Sequence, residues 1–283
     1  MNYRKHNSQR GFYVTALTVV LATIAFIFVL GYSSYYAKRE SQSLLDNQKT
    51  YLYDLKSRLL EAYATKLLDV DADLTYASYR DSDRWFEMAG LSRRWELRIE
   101  VSDRLEKDGV KYTVLALWLP TETDAANPPT FDAATGTFSS CSLAPCPDRA
   151  YTLVSGYELQ AKAAADTKKT LEHIAAKAQA YFKARNLAEP THNVSINYFL
   201  APYGSCAPNA EDIPCAATYS SIDATTLAQV LHLDSDRTKN GWGLDIEYSN
   251  VEDSNITSPP YTMSFRSRDP WGNTPQILAV QPL

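Results

Sequence analysis

Between Gly11 and Ala37 the chain carries no charged side chain: GFYVTALTVVLATIAFIFVLGYSSYYA. The apolar core of this run, Phe12 to Tyr32, has 21 residues. At about 1.5 Å of rise per residue, a helix of that length spans a hydrocarbon layer of about 30 Å. A cleaved secretory signal has a shorter apolar stretch, about 7–15 residues, and a small-x-small site after it; neither is present here. The run therefore reads as one membrane-spanning helix. Arg4, Lys5, His6 and Arg10 precede it, whereas Lys38 and Arg39 behind it are joined by Glu40. That bias favours a cytoplasmic N-terminus, with everything after the helix exported.

An exported region explains the cysteines. Cys141 and Cys146 lie in CSLAPC, and Cys206 and Cys215 in CAPNAEDIPC. Four cysteines allow three pairings, and proximity favours 141–146 with 206–215. A zinc site would need shorter ligand spacings than these. The remaining composition is that of a folded protein: 283 residues, 45% hydrophobic and 22% charged, enough for one large or two small domains. The net charge is −5 and becomes more negative without the leader cations Arg4, Lys5 and Arg10. That excludes nucleic acid as an expected partner, because phosphate binding needs clustered Lys and Arg.

Helix is expected to continue past the membrane. Residues 38–70 contain no Gly or Pro and place Leu45, Leu52, Leu55, Leu59 and Tyr63 on one stripe. The result is a rod of more than 50 residues, with Gly31 and Ser33-Ser34 as places to bend. The stripe can pack on the protein's own sheet or on sibling helices. Two β-rich runs, RRWELRIEVSDRLE and VKYTVLALWLP, then flank the turn signal KDG. A Pro/Ala/Thr/Ser-rich stretch from Pro120 to Asp148 reads as a long loop, and AYTLVSG as a strand closing the first sheet. YELQAKAAADTKKTLEHIAAKAQAYFKARN is a second helix, with Leu159, Ala163, Leu171, Ile174, Ala178 and Phe182 on its apolar face and Asn186 as terminator. A short helix in DATTLAQVLHL and three strands, in GWGLDIEYSN, PPYTMSFRSRD and TPQILAVQP, complete the chain. The expected fold class is α+β: a long N-terminal membrane-spanning helix followed by two helix-plus-antiparallel-sheet units. The expected boundaries are a leader at 1–11, a transmembrane helix at 12–36, its exported part at 37–69, a first β-rich unit at 70–156, and a second helix with C-terminal sheet at 157–283.

Catalytic patterns are missing from the sequence. His6, His173, His192 and His232 are scattered, and no GxSxG, P-loop or GxGxxG occurs. Ser139-Ser140 has no base placed near it by sequence. Asp81/Asp83 and Asp234/Asp236 sit beside turn signals and read as solvated turns. An alternative is a calcium loop built from Asp245, Glu247, Asp253 and nearby carbonyls, since calcium takes several oxygens from a flexible loop. Two sequons, NVS and NIT, match by pattern alone. No enzyme and no cofactor are expected.

Three stretches together resemble the type IV pilins and type II secretion pseudopilins. The leader MNYRKHNSQRG is short and basic and ends in Gly11, and Phe12 opens the apolar helix. The resemblance implies cleavage by a prepilin peptidase after Gly11 and methylation of the new N-terminus at Phe12. LHLDSDRTKNGWGLDIEYSN and SRDPWGNTPQILAV are similar to the Trp-Gly turns that feed strands of a pseudopilin C-terminal sheet, with Trp242-Gly243 and Trp271-Gly272 in that place. Physically, Pro fixes φ, Gly permits positive φ and Trp covers the turn. ADTKKTLEHIAAKAQAYFKARN resembles the exported half of a pilin first helix, which makes residues 70–156 an insertion or a doubling of the module.

One position departs from the family. The fifth residue after the cut is usually Glu, thought to pair with a neighbour's N-terminal amine; here it is Ala16. Large tip subunits share that departure. The resemblance thus implies a minor subunit that initiates or caps a pilus or pseudopilus, anchored in the bacterial inner membrane. Its partners would be other pilin-like subunits, met through the N-terminal helix, and the peptidase. The alternative reading is an uncleaved single-pass anchor whose exported domains bind a ligand or a regulatory partner.

Overall fold

The computed structural model describes residues 6–92, 96–121, 127–141, 149–200, 213–222 and 227–281. Its first element, α1, runs unbroken for 60 residues, His6–Thr65. It passes through Gly31 and Ser33-Ser34 without ending; the hydroxyls of Ser33 and Ser34 donate back to the carbonyls of Leu30 and Gly31, each at 3.0 Å. The described side chains of its apolar half are exposed: Phe26, Phe28 and Val29 keep 63%, 74% and 64% of their surface. In the other half the stripe is covered. Leu52, Leu55, Leu59 and Tyr63 are buried, each worth about 1.5–3 kcal/mol if fully removed from water. Of the two fates open to the stripe, packing on the chain's own sheet is the one seen at this depth.

After α1 the chain makes a short helix α2 (Leu67–Val70), a 3-10 turn (Tyr76–Tyr79) and helix α3 (Ser82–Met88). Asp81, expected in a solvated turn, caps α3: its carboxylate accepts the Asp83 N–H at 2.9 Å. Strands β1 (Arg98–Val101), β2 (Leu105–Lys107), β3 (Val110–Tyr112) and β4 (Val114–Trp118) form one long hairpin around Asp108-Gly109, both at positive φ. Its register slips midway. Val101 pairs with Leu115 but Leu105 with Tyr112, so four steps on one side face three on the other. This is a bulge of one extra residue within 102–104, opposite Thr113 and Val114.

The stretch expected to be one long loop contains a hairpin, β5 (Thr130–Asp132) with β6 (Thr137–Ser139). The turn between them is fixed locally, with the Asp132 carboxylate accepting the Ala134 N–H and Gly136 at φ +67°. Strand β7 (Tyr151–Ser155) closes the first sheet, ordered β1-β4-β7 and antiparallel. Every β4 side chain is buried. Leu115 and Leu117 join the cluster under α1, while on the other face Trp118 meets Phe138 of the added hairpin at 5.3 Å between ring centroids.

Helix α4 spans Tyr157–Ala188 and continues past Asn186, which therefore does not terminate it; the helix closes at Glu189, whose N–H reaches the Arg185 carbonyl. The second sheet holds β8 (Ser220–Ser221), β9 (Glu247–Ser249), β10 (Thr262–Arg266) and β11 (Gln276–Val280) in the order β11-β10-β9-β8, all antiparallel. A one-turn helix α5 (Leu227–Val230) stands between β8 and β9. Leu171, Ile174, Ala178 and Phe182 of α4 pack on Met263, Phe265 and Ala279 of this sheet. The architecture is thus α+β: one long, partly apolar helix, then two antiparallel sheets, each packed against a helix.

Candidate functional site

The two sheets have separate apolar cores, and between them lie a buried polar network and a small apolar cluster of Val110, Ala163, Trp242 and Trp271. Asp71, just beyond α2, is fully buried. Its carboxylate accepts from the Tyr63 hydroxyl at the end of α1, from the Thr113 hydroxyl at 2.5 Å and from the Gln160 amide of α4 at 2.8 Å. At the end of the β4–β7 ladder the Thr113 carbonyl accepts the Gly156 N–H, and the Thr113 N–H donates to the Tyr63 oxygen, 3.2 Å away. Gln160 makes two further bonds: it donates to the Leu67 carbonyl at 2.9 Å and accepts the indole N–H of Trp242 at 2.7 Å. From outside, Arg104 reaches the Asp71 backbone carbonyl at 3.1 Å and pairs with Asp73 at 2.5 Å.

Two glycines let the parts approach. A Cβ on Gly156, between β7 and α4, would sit 2.0 Å from the Tyr63 phenol, and one on Gly241 would sit 2.1 Å from the Ala163 carbonyl oxygen. The backbone of Gly241 instead donates to the Thr167 hydroxyl at 2.9 Å.

Burial raises the Asp71 pKa above the ordinary aspartate value, although Thr113, Tyr63 and Gln160 all favour the anion. Tyr63 is pushed well up, first by burial and then by the Asp71 charge. Tyr63, Asp71 and Gln160 have no solvent-exposed surface. These three side chains are closed to solvent, and their bonds lock α1, the hairpin, α4 and the Trp242 loop together.

The two Trp-Gly turns meet at this seam. Trp242 and Trp271 stand edge to face with centroids 5.6 Å apart, packed with Val110 and Ala163. Gly243 and Gly272 both have φ +82°, so each turn needs its glycine. In the second turn, Asp269 accepts the N–H groups of Trp271 and Asn273. Beside the tryptophans, a cleft of about 370 Å³ opens between the β2–β3 turn, α4 and the start of β11.

The other expected residues lie apart from this seam. Gly11 and Phe12 are within the first turns of α1, and Ala16 is exposed on it. Cys141 and Cys215 are disulfide-bonded; Cys146 and Cys206, and with them the pairing, lie outside the described residues. Asp245 pairs with Lys239 at 3.2 Å, Glu247 with Arg266 at 2.6 Å, and Asp253 accepts from the Tyr219 hydroxyl at 3.1 Å. These three acids are thus held by separate partners, and no metal-capable group of three or more such side chains occurs among the described residues.

Sequence reasoning missed Tyr63 as a ligand of Asp71, and missed Thr113 and Gln160 altogether; a polar residue at a helix position that buries was the available signal for Gln160. Above the seam, α1 supplies one helix long and apolar enough to cross a membrane. At the C-terminal end of its apolar run the hydroxyl of Tyr32 donates to that of Tyr36 at 2.8 Å, with Tyr35 alongside, an aromatic group just ahead of Lys38 and Arg39. No family model, curated protein or solved structure matches this chain.

Proposed function

We propose that the chain is a minor, pilin-like subunit that initiates or caps a type IV pilus or a secretion pseudopilus. The observation that carries this reading is the division of α1. One continuous helix buries its C-terminal stripe in the chain's own first sheet and leaves Leu17 to Leu30 exposed on every side. A bilayer satisfies such a surface, and so does a bundle of similar helices. Small residues (Ala22, Thr23, Ala25, Gly31) among the large ones suit close helix packing. The Gly11-Phe12 junction then supplies the cut that converts an anchor into a subunit. Ala16 in place of a carboxylate means that no buried charge needs a partner ahead of this subunit, which suits a first or last position. The leader cations favour a cytoplasmic N-terminus in the inner membrane, and the bonded cysteines suit an exported, oxidising compartment. In this reading the helix-plus-sheet unit is present twice, and the polar node holds the copies as one body.

The test is crosslinking in cells. A cysteine placed at Val20 or Phe28 should crosslink to a pilin-like neighbour, and the crosslink should disappear without the prepilin peptidase. A full-length chain that never crosslinks, with or without the peptidase, would instead support the uncleaved anchor.

A further inference from the structure

Strand β11 is an edge of the second sheet, and its ladder fixes which backbone groups are in use. Gln281 N–H donates to the Tyr261 carbonyl at 2.8 Å and Ser267 N–H to the Pro275 carbonyl at 3.0 Å, with Ile277 opposite Phe265. The odd-numbered residues of β11 therefore exchange bonds with β10. Those of Gln276, Leu278 and Val280 point away from it, and no hydrogen bond among the described residues engages them. Leu278 and Val280 are 39% and 38% exposed. Strand β11, QILAV, has none of the charges or prolines that usually blunt an open edge.

The cleft lies at the beginning of that same edge. Its apolar wall is Ile277, Val110, Leu171 and the two tryptophans. Its charged lining is three carboxylates, Asp108, Glu172 and Asp269, against the ammonium of Lys168, which stands 4.0 Å from Glu172. Asp108 accepts from the Tyr157 hydroxyl and Asp269 from its own turn, which holds both in place at the margin.

We propose that the β11 edge and this cleft form one docking site for an extended peptide segment of a partner protein. The segment adds as a fifth strand, with an apolar or aromatic anchor in the cleft and Lys or Arg beside the anchor. A residue paired with Ile277 puts its side chain on the face of Ile277, at the cleft; residues paired with Leu278 and Val280 cover those two. Main-chain bonds supply affinity and the cleft supplies selectivity, as in other strand additions. The acidic margin selects for cations. The site does not depend on how the N-terminus is processed, so its failure leaves the subunit reading standing, and the reverse.

The test uses the full chain in detergent micelles and fluorescent ten-residue peptides of alternating valine and threonine. Each carries one central phenylalanine, tryptophan or leucine flanked by lysines. Fluorescence anisotropy should show saturable binding. Binding should weaken at least tenfold on N-methylation of alternate peptide amides, or on exchange of the lysines for glutamates. Leu278→Pro removes an outward N–H and no bond to β10, and Ala164→Phe fills the cleft; each should weaken binding at least tenfold with an unchanged melting temperature. No saturable binding by any of the peptides would overturn the proposal, as would equal binding by the methylated peptides and both variants. A dimer in sedimentation analysis that Leu278→Pro disperses would assign the edge to a second copy and overturn it equally.

Discussion

Gln160, on the second long helix, donates to the buried carboxylate of Asp71 at 2.8 Å, across 89 residues of sequence. A side chain from the C-terminal half thereby completes a polar site begun by the N-terminal half, and its carbonyl carries the link on to Trp242. Buried groups so connected are costly to strip of one partner, because the others lose their bonds without regaining water.

Gln160→Leu should therefore cost about 2–4 kcal/mol, an unmet donor or acceptor being worth about 1–3 kcal/mol each. It should also uncouple the halves. Thermal unfolding of the full chain, followed by circular dichroism, should change from one transition to two. A single transition with an unchanged midpoint would show that the node does not couple them.

Asp71 gives a pH dependence of unusual sign. Burial raises its folded pKa above the unfolded value, so between the two the folded state keeps a proton that the unfolded state has lost. Its contribution is complete below the unfolded pKa and is lost as pH rises through the folded one. Asp71→Asn keeps an acceptor for Tyr63 and Gln160 and cannot ionise. The variant should gain stability relative to the parent as pH rises from about 4 to 7, read as the difference between two denaturant titrations at each pH. A difference independent of pH would contradict a raised pKa.

Two neighbouring glycines separate space from conformation. At Gly241 an added Cβ would meet the Ala163 backbone at 2.1 Å, and a carbonyl cannot rotate away, so Gly241→Ala should cost about 3 kcal/mol or more. At Gly243 there is open space but φ is +82°, so Gly243→Ala should cost only about 1–2 kcal/mol of backbone strain. Chemical denaturation of both variants checks the order; the reverse order would mean that the Trp242 turn does not press on α4.

What could be read in the sequence is what repeats locally. An uncharged run followed by a stripe at helical spacing announces α1, and three alternating segments announce β9, β10 and β11. Trp-Gly pairs announce turns that prove to need positive φ at Gly243 and Gly272. The hairpin β5–β6 is hidden because its strands have three residues each, too short for alternation to register. The node is hidden for a different reason. Asp71 in LLDVDAD looks solvated, and Thr113, which alternation puts on the face of Leu115 and Leu117, meets it from 42 residues along the chain. Gln160 and Trp242 are 82 residues apart. No local pattern encodes such a meeting; it exists once both sheets are packed.

The most direct test of the assembling-subunit account is the N-terminal mass of the membrane-extracted protein, from cells with and without a prepilin peptidase. An assembling subunit should give a first peptide beginning at Phe12, with an added methyl group, in the first sample and an intact Met1 in the second. Met1 retained in both would contradict it and leave α1 as an anchor alone.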